Sequence, residues 1–210
     1  MALDIKGFFG GLATHLRKRS QDITQIATMA AIEHWVQFEA AAFLSRIDSR
    51  EKYGIGGGKQ NEPDWWLTCE YKKIDLCVEG LDSSHAIEFK AVHNNKNFYT
   101  KILEARRDLE KHLAPEAGRP HSAVIAIVSH ALYANNSRYK PLRETPRGNE
   151  LKAEPFKKLF KTELASTDPR YNRYMPTRII CWEMITSLDK APYIVPGNGS
   201  FVALALINQL

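Results

Sequence analysis

A mixed α/β fold, a central mixed sheet flanked by helices, is what this 210-residue sequence predicts. Three observations carry that expectation. From Ser20 onward apolar residues recur at helical spacing (Met29, Ile32, Val36, Phe43, Ile47), with no proline or glycine before Gly54. Two short segments, Ile74-Asp75-Leu76 and Ile87-Glu88-Phe89-Lys90, set charged residues between apolar ones, the pattern of half-buried strands. Ala123 to Val128 is an unbroken apolar run, the pattern of a strand buried on both faces.

The elements follow in order. Residues 1–20 read as an irregular lead-in with the cationic stretch His15-Leu16-Arg17-Lys18-Arg19. One long helix follows, with Ser20 or Asp22 as its cap. Tyr53 to Glu62 is a polar, glycine-rich loop. Trp65 to Val78 reads as strand, either continuous or bent near Lys72-Lys73. Gly80 to Ser84 is a turn and His85 to Val92 a strand. Asn97 to Leu113 is a charged helix, and Ala123 to Val128 the buried strand. Residues 134–150 form a long basic loop, Lys152 to Leu164 a short amphipathic helix, and Arg178 to Ile185 and Phe201 to Ile207 two late strands. The expectation is one domain over residues 1–210, with a core at about 20–130 and a C-terminal α/β extension at about 131–210.

Composition narrows the function classes. Apolar residues make up 44% and charged residues 25%, which excludes wholesale disorder. No apolar run is long enough to span a bilayer, and no signal peptide is expected, because Gly7, Gly10 and Gly11 interrupt the apolar start. Cys69, Cys77 and Cys181 are odd in number and lack a C-x-x-C pair. They read as buried free thiols in a reducing, cytoplasmic setting rather than as a zinc site. The net charge of +5 suits a polyanionic partner.

Side chains alternate along a strand, so Glu88 and Lys90 project from one face while Ile87 and Phe89 project from the other. With Asp75 on the preceding strand, two carboxylates and one amine converge. That set suits a divalent cation and a water activated beside it, the chemistry of phosphodiester hydrolysis. Glu39 lies within the apolar stripe of the first helix, where a carboxylate needs a partner or a metal. Glu33, with weaker apolar company, is its understudy. A competing acid–x–lysine triplet, Glu70-Tyr71-Lys72, follows Pro63-Asp64, but five residues between the acids leave little room for strand, turn and strand. The twelve residues between Asp75 and Glu88 hold a turn comfortably. The bland alternative is that Asp75, Glu88 and Lys90 are solvent-facing charges of an ordinary sheet.

Other candidates are weaker. Gly54 to Lys59 lacks the spacing of a phosphate-binding loop and follows a helix rather than a strand. His85, His93 and His130 read as strand-end histidines before they read as ligands. Arg106, Arg107 and Lys111 on the second helix, and Arg138, Lys140, Arg143 and Arg147 in the long loop, are candidate phosphate contacts. Trp65 and Trp66 fit base stacking or, more commonly, core packing.

Taken together, these residues resemble the PD-(D/E)xK nuclease superfamily, whose restriction-endonuclease-like core runs αβββαβ. Glu39 matches the helix acid, Asp75 the strand aspartate, and Glu88 and Lys90 the triplet. Ile74 stands where the family often has proline, and residues 131–210 match no named element of it. The resemblance implies an Mg²⁺-dependent endonuclease acting on DNA, with RNA left open and Mn²⁺ able to substitute. Asp75, Glu88, the Phe89 carbonyl and Glu39 would hold the metal. Lys90 would orient or deprotonate the attacking water. In-line attack would leave a 5′-phosphate, and a homodimer would serve cleavage of two strands. The alternative is a non-catalytic nucleic-acid-binding or assembly subunit that keeps the fold.

Overall fold

The computed structural model describes residues 3–27, 32–46, 52–53, 65–71, 74–80, 84–113, 121–132, 150–171, 173–191, 194 and 199–210. The glycine-rich loop and the long basic loop with its four cations lie outside these residues, as do the side chains of Trp65 and Trp66.

The first departure from expectation is at the start. Residues Ile5–Lys18 form a helix, α1, whose N-terminus is capped by the Asp4 carboxylate accepting from the Gly7 N–H at 2.9 Å. Phe8, Phe9, Leu12, Ala13 and Leu16 fall on one face and are buried. Each glycine costs roughly 0.5–1 kcal/mol of helix stability relative to alanine. Burying each of the four large side chains returns about 1.5–3 kcal/mol, so packing outweighs propensity. The glycines also permit close approach: a Cβ at Gly11 would lie 1.9 Å from the Tyr53 hydroxyl and 3.1 Å from the Phe43 ring. The single long helix expected next is two helices, α2 (Ser20–Ile26) and α3 (Ile32–Leu44).

The strands are β1 (Trp65–Tyr71), β2 (Ile74–Gly80), β3 (Ser84–His93), β4 (His121–His130), β5 (Thr177–Ser187) and β6 (Phe201–Gln209). They form one six-stranded mixed sheet in the order β1-β2-β3-β4-β6-β5. Only β3 and β4 run parallel; every other pair is antiparallel. Parallel neighbours need a crossover, and the helix α4 (Phe98–Leu113) lies on it. A fifth helix, α5 (Ala153–Leu164), precedes the last two strands. The C-terminal region therefore completes the sheet, because β6 pairs along β4 and β5 along β6.

Two cores follow from the alternation of the strands. On one face Leu76, Val78, Ile87, Phe89, Ile125, Ile127, Leu204 and Leu206 pack beneath α1, α2 and α3. On the other Val92, Val124, Val128, Ala203 and Ile207 pack beneath α4 and α5. β4 serves both, as its unbroken apolar sequence requires. No helix among the described residues is long and apolar enough to cross a membrane.

Candidate functional site

The site begins with a mismatch of strand lengths. β2 pairs with β3 only from Leu76↔Ile87 to Glu79↔Ser84, but β3 continues to His93. Beyond Ile87 the edge of β3 facing β2 therefore has no strand partner among the described residues. Its backbone groups still need partners, and two carboxylates meet that need. Asp75 Oδ2 accepts from the Phe89 N–H at 2.7 Å. Glu33 Oε2 accepts from the Ala91 N–H at 2.8 Å. N–H and C=O of one strand residue face the same edge, so the Phe89 carbonyl opens between these two acids. The Asp75 carbonyl accepts from the Gln37 amide at 2.7 Å, and that amide also reaches Glu70 Oε1 at 2.8 Å. Glu33 and Gln37 are one helical turn apart on α3, which explains why both reach the opening.

Asp75 and Glu88 converge as the strand pattern predicts. The Glu88 carboxyl is near enough to act on Asp75, which is pushed up to about 7. Burial is the main cause; the Phe89 N–H opposes it, the Glu88 charge adds to it, and Lys90 opposes it. Glu88 is almost fully buried, with 3% of its surface exposed. The Lys90 ammonium lies 3.7 Å from Glu88 Oε2 and 3.0 Å from Asp108 Oδ2 on α4. Burial lowers the Lys90 pKa, but Asp108, Glu88 and Asp75 outweigh burial and the net shift is upward. Asp108 is buried too, which raises its pKa. Arg107, with Nε 3.0 Å from Oδ1, and Lys90 reverse that, so it lies below the usual carboxylate range.

Glu39 is not brought to this opening. Its carboxylate accepts from Arg19 Nη1 at 2.8 Å and is paired with His15 Nε2 at 2.8 Å. Six residues along a helix turn the side chain by about 240° and advance it by about 9 Å, so Glu33 and Glu39 cannot serve one centre from the same face. The expectation that Glu39 is the helix acid of the site is therefore corrected: Glu33 occupies that place, and Glu39 ties α3 to α1 and to the start of α2. The cause is α1, which supplies the partner that the apolar stripe of α3 left unspecified.

Other candidates resolve into structural roles. Arg106 is buried and donates to the backbone carbonyls of Ser166 at 2.8 Å, Tyr174 at 2.9 Å and Met175 at 3.1 Å, so it staples a loop rather than meeting a phosphate. His85 Nε2 accepts from the Leu3 N–H at 3.1 Å, and the His130 ring bonds the Leu151 carbonyl at 2.9 Å. Burial, aided by Lys101, pushes His93 down to about 4, which keeps it neutral. The three cysteines are free thiols.

Asp108 and Gln37 were missed from the sequence. Asp108 had a readable signal, an acid beside Ala105 and Leu109 on the apolar face of its helix. Gln37 had only its spacing from Glu33.

Among the described residues no group of three or more His, Cys, Asp and Glu surrounds a common metal position. The smaller set of Asp75, Glu88 and the Phe89 carbonyl is all oxygen, which suits a hard cation such as Mg²⁺ or Mn²⁺. A buried carboxyl beside a half-buried one whose pKa is raised to neutrality is the chemistry a cation would relieve, so the residues present fit the ion. Comparison with known proteins found no matching family model, and no curated protein or solved structure matched the chain significantly.

Proposed function

We propose that this chain is a metal-dependent nuclease that hydrolyses phosphodiester bonds of DNA, most simply as an endonuclease. The observation that carries the reading is the meeting of the Asp75 and Glu88 carboxyls with the Lys90 ammonium, where β2 leaves the edge of β3. The order αβββαβ, with the third and fourth strands parallel, supports the restriction-endonuclease-like core that the sequence resembles.

Asp75, Glu88 and the Phe89 carbonyl would hold Mg²⁺ or Mn²⁺, with Glu33 beside them as a further oxygen donor. A divalent cation there supplies an acidified water and offsets negative charge on the phosphoryl group. The chain's own residues do the rest. The Phe89 N–H fixes the orientation of Asp75. Gln37 braces the backbone that carries it. Lys90, held protonated among acids, meets the charge that develops on the phosphodiester rather than removing a proton from water.

The test is cleavage of supercoiled, linear and single-stranded DNA and of RNA with Mg²⁺, by the wild type, Asp75→Ala and Lys90→Ala. The wild type is expected to nick or linearise plasmid, and both variants to lose that activity by on the order of 10²–10³-fold. Activity surviving both substitutions removes these residues from the mechanism.

One observation favours a second reading, a non-catalytic nucleic-acid-binding subunit. Lys90 sits closer to Asp108 than to Glu88, an arrangement equally at home in a structural ion pair. Salt-dependent DNA binding with no cleavage in any divalent metal selects that reading.

A further inference from the structure

We propose that Asp108 is a positioning residue that holds the Lys90 ammonium off Glu88 and between the acid pair and an arriving phosphodiester. The inference rests on the nuclease reading for its purpose, but its geometry stands without it. Both oxygens of Asp108 are committed, Oδ1 to Arg107 Nε at 3.0 Å and Oδ2 to Lys90 Nζ at 3.0 Å. Asp108 is 4% exposed, and it sits on α4, the helix that crosses between the two parallel strands. Its place is thus set by a helix that packs across β3 and β4 rather than by the strands that carry the other two acids and the lysine.

The need for such a residue follows from the flexibility of lysine. Its ammonium rides on a four-carbon stem and goes to the nearest acid. In β3 that acid is Glu88, two residues away on the same face. An ammonium in full contact with Glu88 would occupy an oxygen that the site needs for a cation. The Lys90–Glu88 distance of 3.7 Å against 3.0 Å to Asp108 shows how the competition is settled. Asp108 draws the ammonium sideways, away from close contact with Glu88. Arg107, half exposed, in turn stops Asp108 from following Lys90 into the opening.

Two readouts test this, one with activity and one without. Steady-state cleavage by Asp108→Asn is expected to show kcat lower by about 10–100-fold with KM changed by less than about 2-fold, and Asp108→Glu to recover part of the loss. Arg107→Gln is expected to reduce kcat less. Independently, ¹⁵N-detected NMR of lysine ammonium groups is expected to show a slowly exchanging Lys90 signal in the metal-free wild type, identified by its loss in Lys90→Arg. That signal should vanish in Asp108→Asn and return in Asp108→Glu, with circular dichroism showing all three proteins folded at the temperature of the measurement. A wild type that cuts nothing but shows this pattern upholds the positioning role and removes the nuclease reading. A Lys90 signal indifferent to Asp108→Asn, or absent from the wild type, overturns the positioning role whether or not the protein cuts.

Discussion

Two clusters of opposite charge lie on different sides of α3, and their bookkeeping differs. Around Glu39, the acids Glu39 and Asp22 face the Arg19 guanidinium and the His15 ring. Arg19 also lies over the Trp35 ring. That network is partly exposed, and it joins three helices. At the opening of β3, Asp75, Glu88 and Asp108 are met among the described residues by Lys90 and by the outward-facing Arg107, with Glu33 close by. That network is buried and rich in acid. Paired charge at a surface ties elements together for a modest gain. Buried excess acid costs stability unless a proton or a cation offsets it, and such groups concentrate where chemistry is done. The contrast is why we propose chemistry at the second cluster and only a structural role at the first.

The largest effect that could break this contrast is the loss of the buried cation. Lys90→Met leaves Glu88 and Asp108 without their shared partner, and urea unfolding in EDTA should show about 3–5 kcal/mol less stability. A loss as small as that of a surface pair would mean that the second cluster is as solvated as the first. Next comes the choice between the two acids of α3. Glu33→Gln is expected to lower Mg²⁺-dependent cleavage about 10–100-fold while the fold survives, because the amide oxygen can still accept from Ala91. Glu39→Gln should leave cleavage unchanged, and the reverse result would restore Glu39 to the site.

A smaller effect is expected in the stability of Glu39→Gln. Removing one charge from the first cluster should cost about 1–2 kcal/mol, read by chemical denaturation. A further signal is in pH. Asp75 titrates near 7 when folded and near 3.9 when unfolded, so the folded chain binds its proton more tightly. Its contribution to stability is present at acid pH and is lost as pH rises from about 4 through about 7. Melting of the metal-free protein should therefore decline across that window, and Asp75→Asn should flatten the decline. A wild-type profile that rises instead would show that Asp75 is not the uncompensated acid of the pair.

Much of the second cluster was legible in the sequence, and the first was misread. Asp75, Glu88 and Lys90 stood out because each is framed by apolar residues at a spacing of two, and a strand's alternation leaves such side chains one destination. Glu39 stood out for a similar reason on a helix, yet a helical stripe does not say which neighbour covers it. The neighbour is α1, a segment whose glycines read as interruptions but serve as clearance for Tyr53 and Phe43. Glu33 looked exposed because its partner is a backbone N–H, and a backbone donor leaves no mark in a sequence. Asp108 was passed over because its partner lies on a different element, across a crossover.

Apart from α1 and the division between α2 and α3, the sequence by itself determined the kinds of elements, their order and the faces of β2 and β3 on which the acids and the lysine would stand. These depend on local periodicity, and periodicity is written residue by residue. Only the tertiary structure decided that β6 lies between β4 and β5, that β3 outruns β2, and that α4 sets Asp108 against Lys90. Those outcomes depend on pairings between distant segments, where many arrangements satisfy the same local pattern and packing selects one.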